Sequence, residues 1–290
     1  MSVSKDVAKE LATLPTIRQV IVDNGLSARK SLGQHFLLDN RVIARIIDSA
    51  GIDEGVTVLE VGPGPGSLTR ALLATSAKCV VAIEKDDRSV DALRGLGAVV
   101  GSRFHLVRGD ALTLDLDSLC VQPFQIVANL PYNIGTRLVL EFLHMLCKPR
   151  RMTLMLQKEV AQRMIASPGE RDYGRLSIIV QWLAQARVLF DVSAQAFKPE
   201  PKVTSSVIEL IPRSKPLAEA EPDTLKLITR MAFGQRRKMM RTSLRALHPD
   251  ISSLLQKVGI PPTRRPEEVT IQEFCSIARE LRSRSDTGSK

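Results

Sequence analysis

The sequence predicts an α/β fold, in which an open, mostly parallel sheet is covered by helices on both faces and followed by a small all-helical domain. Three observations carry this. Between Thr57 and Cys147, short apolar runs alternate with helix-like segments, the pattern of a parallel sheet. A glycine-rich turn, Glu60-Val-Gly-Pro-Gly-Pro-Gly66, follows the first of these runs and opens a helix. Beyond Pro222 the strand signals stop and only helical patterns remain. A chain of 290 residues is long enough for one substantial core and a smaller second domain.

Residues 1–29 read as a mobile start followed by one short helix, entered at Pro15 and stopped at Asn24-Gly25. A glycine-punctuated loop, Lys30-Ser-Leu-Gly-Gln-His-Phe-Leu37, leads into a helix from about Asn40 to Ala50. The alternating stretch then gives strands at Thr57–Val61, Cys79–Ile83, Phe104–Val107 and Ile126–Ala128, with helices at Leu68–Ala74, Asp87–Leu93 and Thr136–Cys147. Met152–Leu156 reads as a further strand, with helices around Glu159–Ile165 and Leu176–Gln185. Two last strands, Arg187–Asp191 and Val203–Ile211, have no long helix between them and should pair antiparallel at an edge. Prolines between Ile211 and Pro222 mark a linker. After it, Asp223–Leu247, Ile251–Val258 and Ile271–Leu281 are predicted as helices, and Ser283–Lys290 as a polar, disordered tail. The expected division is residues 1–29, 30–212 and 213–290.

The longest apolar run, near Leu176 to Ala184, is too short to cross a bilayer, and no signal-peptide pattern opens the chain, so a cytoplasmic protein without membrane contact is expected. Cys79, Cys120, Cys147 and Cys275 are scattered and read as core thiols; neither they nor the four histidines make a ligand-spaced pattern, so no metal is expected. A monomer is expected. Net charge is +10, and residues 213–290 hold sixteen basic against nine acidic side chains. That bias points to a polyanionic partner, with an ordinary solvated basic surface as the alternative.

Candidate chemistry gathers at strand ends. Ligands of open α/β sheets bind in the crevice beyond the carboxyl ends of the strands. Glycines 62, 64 and 66 permit a tight turn and close approach to a ligand there. Glu84, ending the second strand, is placed to accept hydrogen bonds from ribose hydroxyls, and Asp110 after the third to accept from an adenine amino group. The fourth strand stops abruptly at Asn129-Leu-Pro-Tyr132 because Pro131 keeps residue 130 out of the helical region. The Asn129 amide oxygen and the Leu130 carbonyl can accept hydrogen bonds from an exocyclic amino group, and Tyr132 adds a flat face. A planar heterocycle carrying an NH2 fits both, adenine among them.

With these residues in place, the chain resembles the ribosomal RNA adenine N6,N6-dimethyltransferase family, specifically its small-subunit (16S) branch. The motifs run in order through Lys30–Leu37, Glu60–Gly66, Asn129–Tyr132, Gln157–Ala161, Tyr173–Ser177, Phe197–Val203 and Phe233–Lys238. The resemblance implies a Rossmann-like seven-stranded sheet that binds S-adenosylmethionine, with a small C-terminal all-α domain. It implies dimethylation of two adjacent adenosines in a hairpin near the 3' end of small-subunit rRNA, the substrate being that RNA or an immature 30S particle. His35, Leu37, Gly62, Gly64, Glu84, Asp110 and Asn129 would contact the cofactor or its loop, and Asn129, Leu130, Pro131 and Tyr132 would hold the target base. Phe197 is expected as a second ring against that base, with core packing as its alternative. Arg237, Arg241 and Arg245 repeat at helical spacing beside Arg236 and Lys238, a stripe suited to RNA phosphates. Arg137 departs from the proline common among relatives.

Three other readings use the same architecture. A resistance-type methyltransferase of large-subunit RNA shares the glycine-rich and Asn-Leu-Pro-Tyr motifs, but the segment Phe233–Lys238 resembles the small-subunit branch. A non-catalytic RNA-binding assembly factor would not need the complete cofactor set, and nothing resembles the hydride-transfer site of a dinucleotide oxidoreductase. Fold alone does not choose among them.

Overall fold

The computed structural model describes residues 3–29, 32–119 and 122–287. In chain order its elements begin with α1 (Val3–Ala12), α2 (Ile17–Asp23), β1 (Phe36–Leu37), α3 (Asn40–Ala50), β2 (Thr57–Val61) and α4 (Ser67–Leu73). There follow β3 (Cys79–Glu84), α5 (Asp87–Val100), β4 (Phe104–Arg108), α6 (Leu116–Leu119), β5 (Phe124–Asn129), α7 (Gly135–His144), β6 (Met152–Gln157), α8 (Lys158–Ile165) and α9 (Arg175–Leu183). The remainder is β7 (Ala184–Val192), β8 (Phe197–Lys198), β9 (Ser205–Pro212), α10 (Pro222–Gly234), α11 (Met240–Ser243), α12 (Ile251–Lys257) and α13 (Ile271–Thr287).

Seven strands form one sheet in the order β4-β3-β2-β5-β6-β9-β7. The first five are mutually parallel, and β9 runs antiparallel to β6 from Met152↔Leu210 to Gln157↔Ser205. Every residue of β2 is buried, Thr57 and Glu60 included, as befits a strand covered on both faces. The fold class is as the sequence predicts. The last two strands are neighbours at one edge of the sheet, with β9 joined to β6 and β7 outermost.

Local signals explain the helix ends that frame the sheet. Asp39 caps α3 by accepting from the Arg41 amide at 2.8 Å, and Gly51 ends it in the left-handed region. α5 outruns its expected stop at Leu93, because Leu96 and Val100 extend the buried stripe and Gly95 and Gly97 do not break it. The expectation of an unstructured start is also corrected. α1 is a helix, and Val7 and Leu11, one turn apart, join the same apolar core as Leu72 and Leu96.

Two compact units emerge, with one boundary at Pro212 where the sequence suggested it, but with residues 162–186 counted in the second unit. One comprises the described residues through Ala161 together with Arg187–Pro212; the other comprises Gln162–Ala186 and the described residues from Arg213 on. Thus α9, expected from sequence within the division 30–212, is counted with the C-terminal helices. Within that second unit the Tyr173 hydroxyl donates to the Val269 carbonyl at 2.8 Å, and Phe233 packs between Tyr173 and Phe274. Burial pushes the Tyr173 phenol above its ordinary range.

The single helix expected over Asp223–Leu247 is two. Glu221 and Pro222 start α10 as capping chemistry requires, but the helix stops at Gly234 and the chain turns through 235–239 before α11. α13 continues to Thr287 where a disordered tail was expected from Ser283; residues 288–290 lie outside the described residues, as do Lys30, Ser31 and the expected core thiol Cys120. Of the other thiols only Cys275 is buried, while Cys79 and Cys147 are partly exposed. No helix among the described residues is long and apolar enough to cross a membrane.

Candidate active site

A cavity of about 160 Å³ opens at the carboxyl ends of β2, β3, β4 and β5. Since one water needs roughly 10–15 Å³, this space suits a small molecule. His35, Leu37, Gly62, Gly64, Glu84, Asp110, Asn129, Leu130, Pro131 and Tyr132 all line it. Ten of the residues singled out from sequence are therefore brought together by the fold.

The glycine turn forms one wall. Gly62 and Gly64 have φ of 72° and 55°, and a Cβ on Gly64 would stand 3.2 Å from the Phe36 ring. The Gly64 amide donates to Glu84 at 3.0 Å, and the amides of Lys85 and Asp86 donate to the same carboxylate at 2.8 Å each. Glu84 thus ties the turn after β2 to the end of β3. Burial raises its pKa, and these three amide bonds oppose the rise.

Glu60 lies deeper. It is buried, lines the cavity and has one carboxylate oxygen without a hydrogen-bond partner among the described residues. Burial, with a smaller contribution from the nearby Glu84 charge, pushes its pKa up to about 8 against the opposing Thr69 side chain. The sequence marked Glu60 only as the start of the glycine turn; nothing in a local pattern signals a neutral carboxyl.

Asp110 is already engaged. Lys85 donates to it at 2.8 Å and the Leu112 amide at 3.0 Å, and the Lys85 bond leads the causes that lower its pKa. Each carboxylate oxygen keeps a further lone pair for a ligand.

The Asn-Leu-Pro-Tyr segment faces the glycine turn, and a Cβ on Gly62 would meet the Pro131 ring at 3.4 Å. Its turn is fixed by Leu130 donating to the Met155 carbonyl and Ile134 donating to Pro131, both at 3.2 Å. The Asn129 amide NH2 donates to the His35 carbonyl at 3.2 Å. That contact fixes which end of the amide is occupied, so Oδ1 remains as the acceptor. Among the described residues no hydrogen bond reaches the Leu130 carbonyl either.

Tyr132 is half-buried, with its ring centroid 5.2 Å from that of His35 at 30° and its hydroxyl hydrogen-bonded to Ser205. His35 Nδ1 lies 2.8 Å from the Pro199 carbonyl; because a carbonyl only accepts, Nδ1 carries the proton. Phe197 requires correction. It is 1% exposed, pairs with Leu37 across β8 and β1, and belongs to the apolar core with Met155 and Val207. It does not line the cavity, and the ring beside Tyr132 is that of His35. A Phe next to a Pro-rich turn reads alike in either role, so sequence could not separate them.

The basic stripe in the second unit is altered as well. Arg236 pairs with Glu267 at 2.7 Å and donates to the Glu170 carbonyl at 3.1 Å. Arg237, Lys238, Arg241 and Arg245 are exposed, but the turn after Gly234 means that they do not share one helical face.

A sequence model described as ribosomal RNA adenine dimethylase matches residues 25–283. The chain is 48% identical over 278 residues to Ribosomal RNA small subunit methyltransferase A of Paramagnetospirillum magneticum, covering 96% of this chain and 99% of that protein. It is 49% identical over 268 residues to the protein of the same name from Sinorhizobium medicae, covering 91% and 97%. Among solved structures, a dimethyladenosine transferase from Plasmodium falciparum superposes with a TM-score of 0.73 at 24% identity, covering 87% of this chain and 98% of that one. The 23S rRNA methyltransferase ErmE gives a TM-score of 0.64 at 28% identity, covering 85% and 99%.

Proposed function

Because the chain belongs to the ribosomal RNA adenine dimethylase family, we propose that it methylates N6 of two adjacent adenosines in a hairpin near the 3' end of small-subunit rRNA, using S-adenosylmethionine, during ribosome assembly in the cytoplasm. The observation that carries this reading is the pair of unused acceptors, Asn129 Oδ1 and the Leu130 carbonyl, beside Tyr132 at the mouth of a cofactor-sized cavity.

The residues present fit the cofactor. The close backbone approach at Gly62 and Gly64, the Glu84 carboxylate at a strand end, Asp110 and the Asn129 region together make a cradle for a nucleoside carrying an amino-acid tail. Bound there, S-adenosylmethionine supplies an electrophilic methyl on a sulfonium. His35 and Leu37 close the same cavity from the loop before α3.

What the chain itself must do is position the base. The N6 lone pair of adenine is delocalised into its ring, and an in-line displacement requires that it point at the methyl. With the two N6 protons held by Asn129 Oδ1 and the Leu130 carbonyl, the nitrogen pyramidalises toward the methyl. No strong general base is needed, because the proton leaves after transfer. A second methylation leaves one of these acceptors without its donor.

Drawing a base from its stack costs a few kcal/mol, and stacking on an aromatic side chain returns roughly 1–3 kcal/mol. Tyr132, flanked by His35, provides that face. The exposed Arg237, Lys238, Arg241 and Arg245 give phosphate contacts suited to structured RNA, which is read through shape and backbone. The protein acts as a monomer without a metal.

The test is incubation of the protein and S-adenosylmethionine with unmethylated small subunits and, separately, with large-subunit RNA, followed by nucleoside mass spectrometry. N6,N6-dimethyladenosine in the small subunit alone is expected. Product in large-subunit RNA alone would transfer the protein to the resistance type, and cofactor binding without product would leave an assembly role.

A further inference from the structure

Tyr132 is held from outside the cavity. Its hydroxyl is bonded to the Oγ of Ser205, a fully buried residue at the first position of β9 that does not line the cavity. The ring neighbouring Tyr132, that of His35, is held in turn by the carbonyl of Pro199. Residues 199 and 205 bracket one connection, between β8 and β9, and that connection is anchored at each end by sheet pairing: Leu37↔Phe197 and Gln157↔Ser205.

Resting on the reading of Tyr132 as the target-base platform, we propose that Ser205 is a positioning residue for methyl transfer, fixing the plane of the Tyr132 ring before RNA arrives. A half-buried tyrosine whose hydroxyl lacks a partner is free to turn about its side-chain bonds, and that freedom must be lost again when a base stacks on it. The Ser205 hydrogen bond removes this freedom in advance. Register pairing with Gln157 holds the serine itself, so the ring inherits the rigidity of the sheet.

The consequence separates catalysis from cofactor binding. Ser205→Ala is expected to lower the single-turnover methylation rate about tenfold, the scale of one hydrogen bond in a positioning role. The cofactor Kd should stay within twofold. Tyr132→Phe, which removes the other partner from the half-buried end, should give the same loss, and the double variant should be no slower than either single one.

A readout independent of turnover is available because the chain has only two tyrosines, Tyr132 and Tyr173. Incorporation of 3-fluorotyrosine should give two fluorine NMR resonances, with the Tyr132 line identified by its absence in Tyr132→Phe. In Ser205→Ala that line should shift and respond to temperature as a mobile ring does, while the Tyr173 line stays in place and reports an intact second unit. An unchanged Tyr132 line, additive losses in the double variant, or equal losses in rate and cofactor binding would each overturn the proposal. Failure of the wild-type protein to form any dimethyladenosine would instead overturn the function proposed above and with it the catalytic purpose of the contact, leaving the NMR result to decide whether the contact exists.

Discussion

At the residue scale, two side chains in the cavity lead to opposite expectations. Asn129 faces it with its amide NH2 bonded to the His35 carbonyl, and in the proposed reaction its Oδ1 acts on the incoming base. Asn129→Ala is expected to reduce turnover by a factor of about 10² to 10³ while weakening cofactor binding less than tenfold, measured by single-turnover kinetics and calorimetry. Glu60 bears on stability. Its carboxyl titrates near 8 in the folded protein against an ordinary value of 4.5, so between those limits the folded state keeps a proton that the unfolded state has released. The stability contributed by that proton is fully present below about pH 4.5 and is lost as pH rises to about 8. Glu60→Gln removes this dependence. Its advantage over the wild type should be nearly absent at pH 4.5 and grow to the order of 5 kcal/mol by pH 8, read from urea unfolding of the cofactor-free proteins.

Among elements, the short β1/β8 pair carries the clearest consequence. Leu37 and Phe197 pair across it, and both enter the core that also takes in Met155 of β6 and Val207 of β9. Phe197→Ala is therefore expected to destabilise the fold by about 3–5 kcal/mol in chemical denaturation, as for other buried aromatic truncations. Phe197→Leu, which keeps most of the apolar volume, should retain methyl transfer within a few-fold. Selective loss of turnover in Phe197→Leu with stability intact would return the ring to the base-stacking role. The break between α10 and α11 places the basic residues of the expected stripe around a bend.

For the molecule as a whole, the charge bias sets the expectation. Arg237, Lys238 and Arg241 are exposed and stand in no ion pair among the described residues, whereas Arg236 already has Glu267. Reversing the first three together should weaken RNA binding and flatten the slope of log affinity against log salt by roughly 2–3 units, measured from 50 to 300 mM salt. Reversing Arg236 alone should chiefly cost stability, since it leaves Glu267 unpaired. By itself the sequence determined the parallel sheet, the glycine turn, the ends of the strands that carry Glu84, Asp110 and Asn129, and the family, because each is written in neighbouring residues through periodicity, turn chemistry and motif order. Only the tertiary structure decided that Phe197 is core, that Glu60 is buried without a full set of partners, that α9 is counted with the C-terminal helices and that the basic stripe is bent. It also decided which end of the Asn129 amide is free and what holds Tyr132, through contacts to residues 94 and 73 positions away. Such contacts depend on packing between distant segments, and no local spacing encodes them.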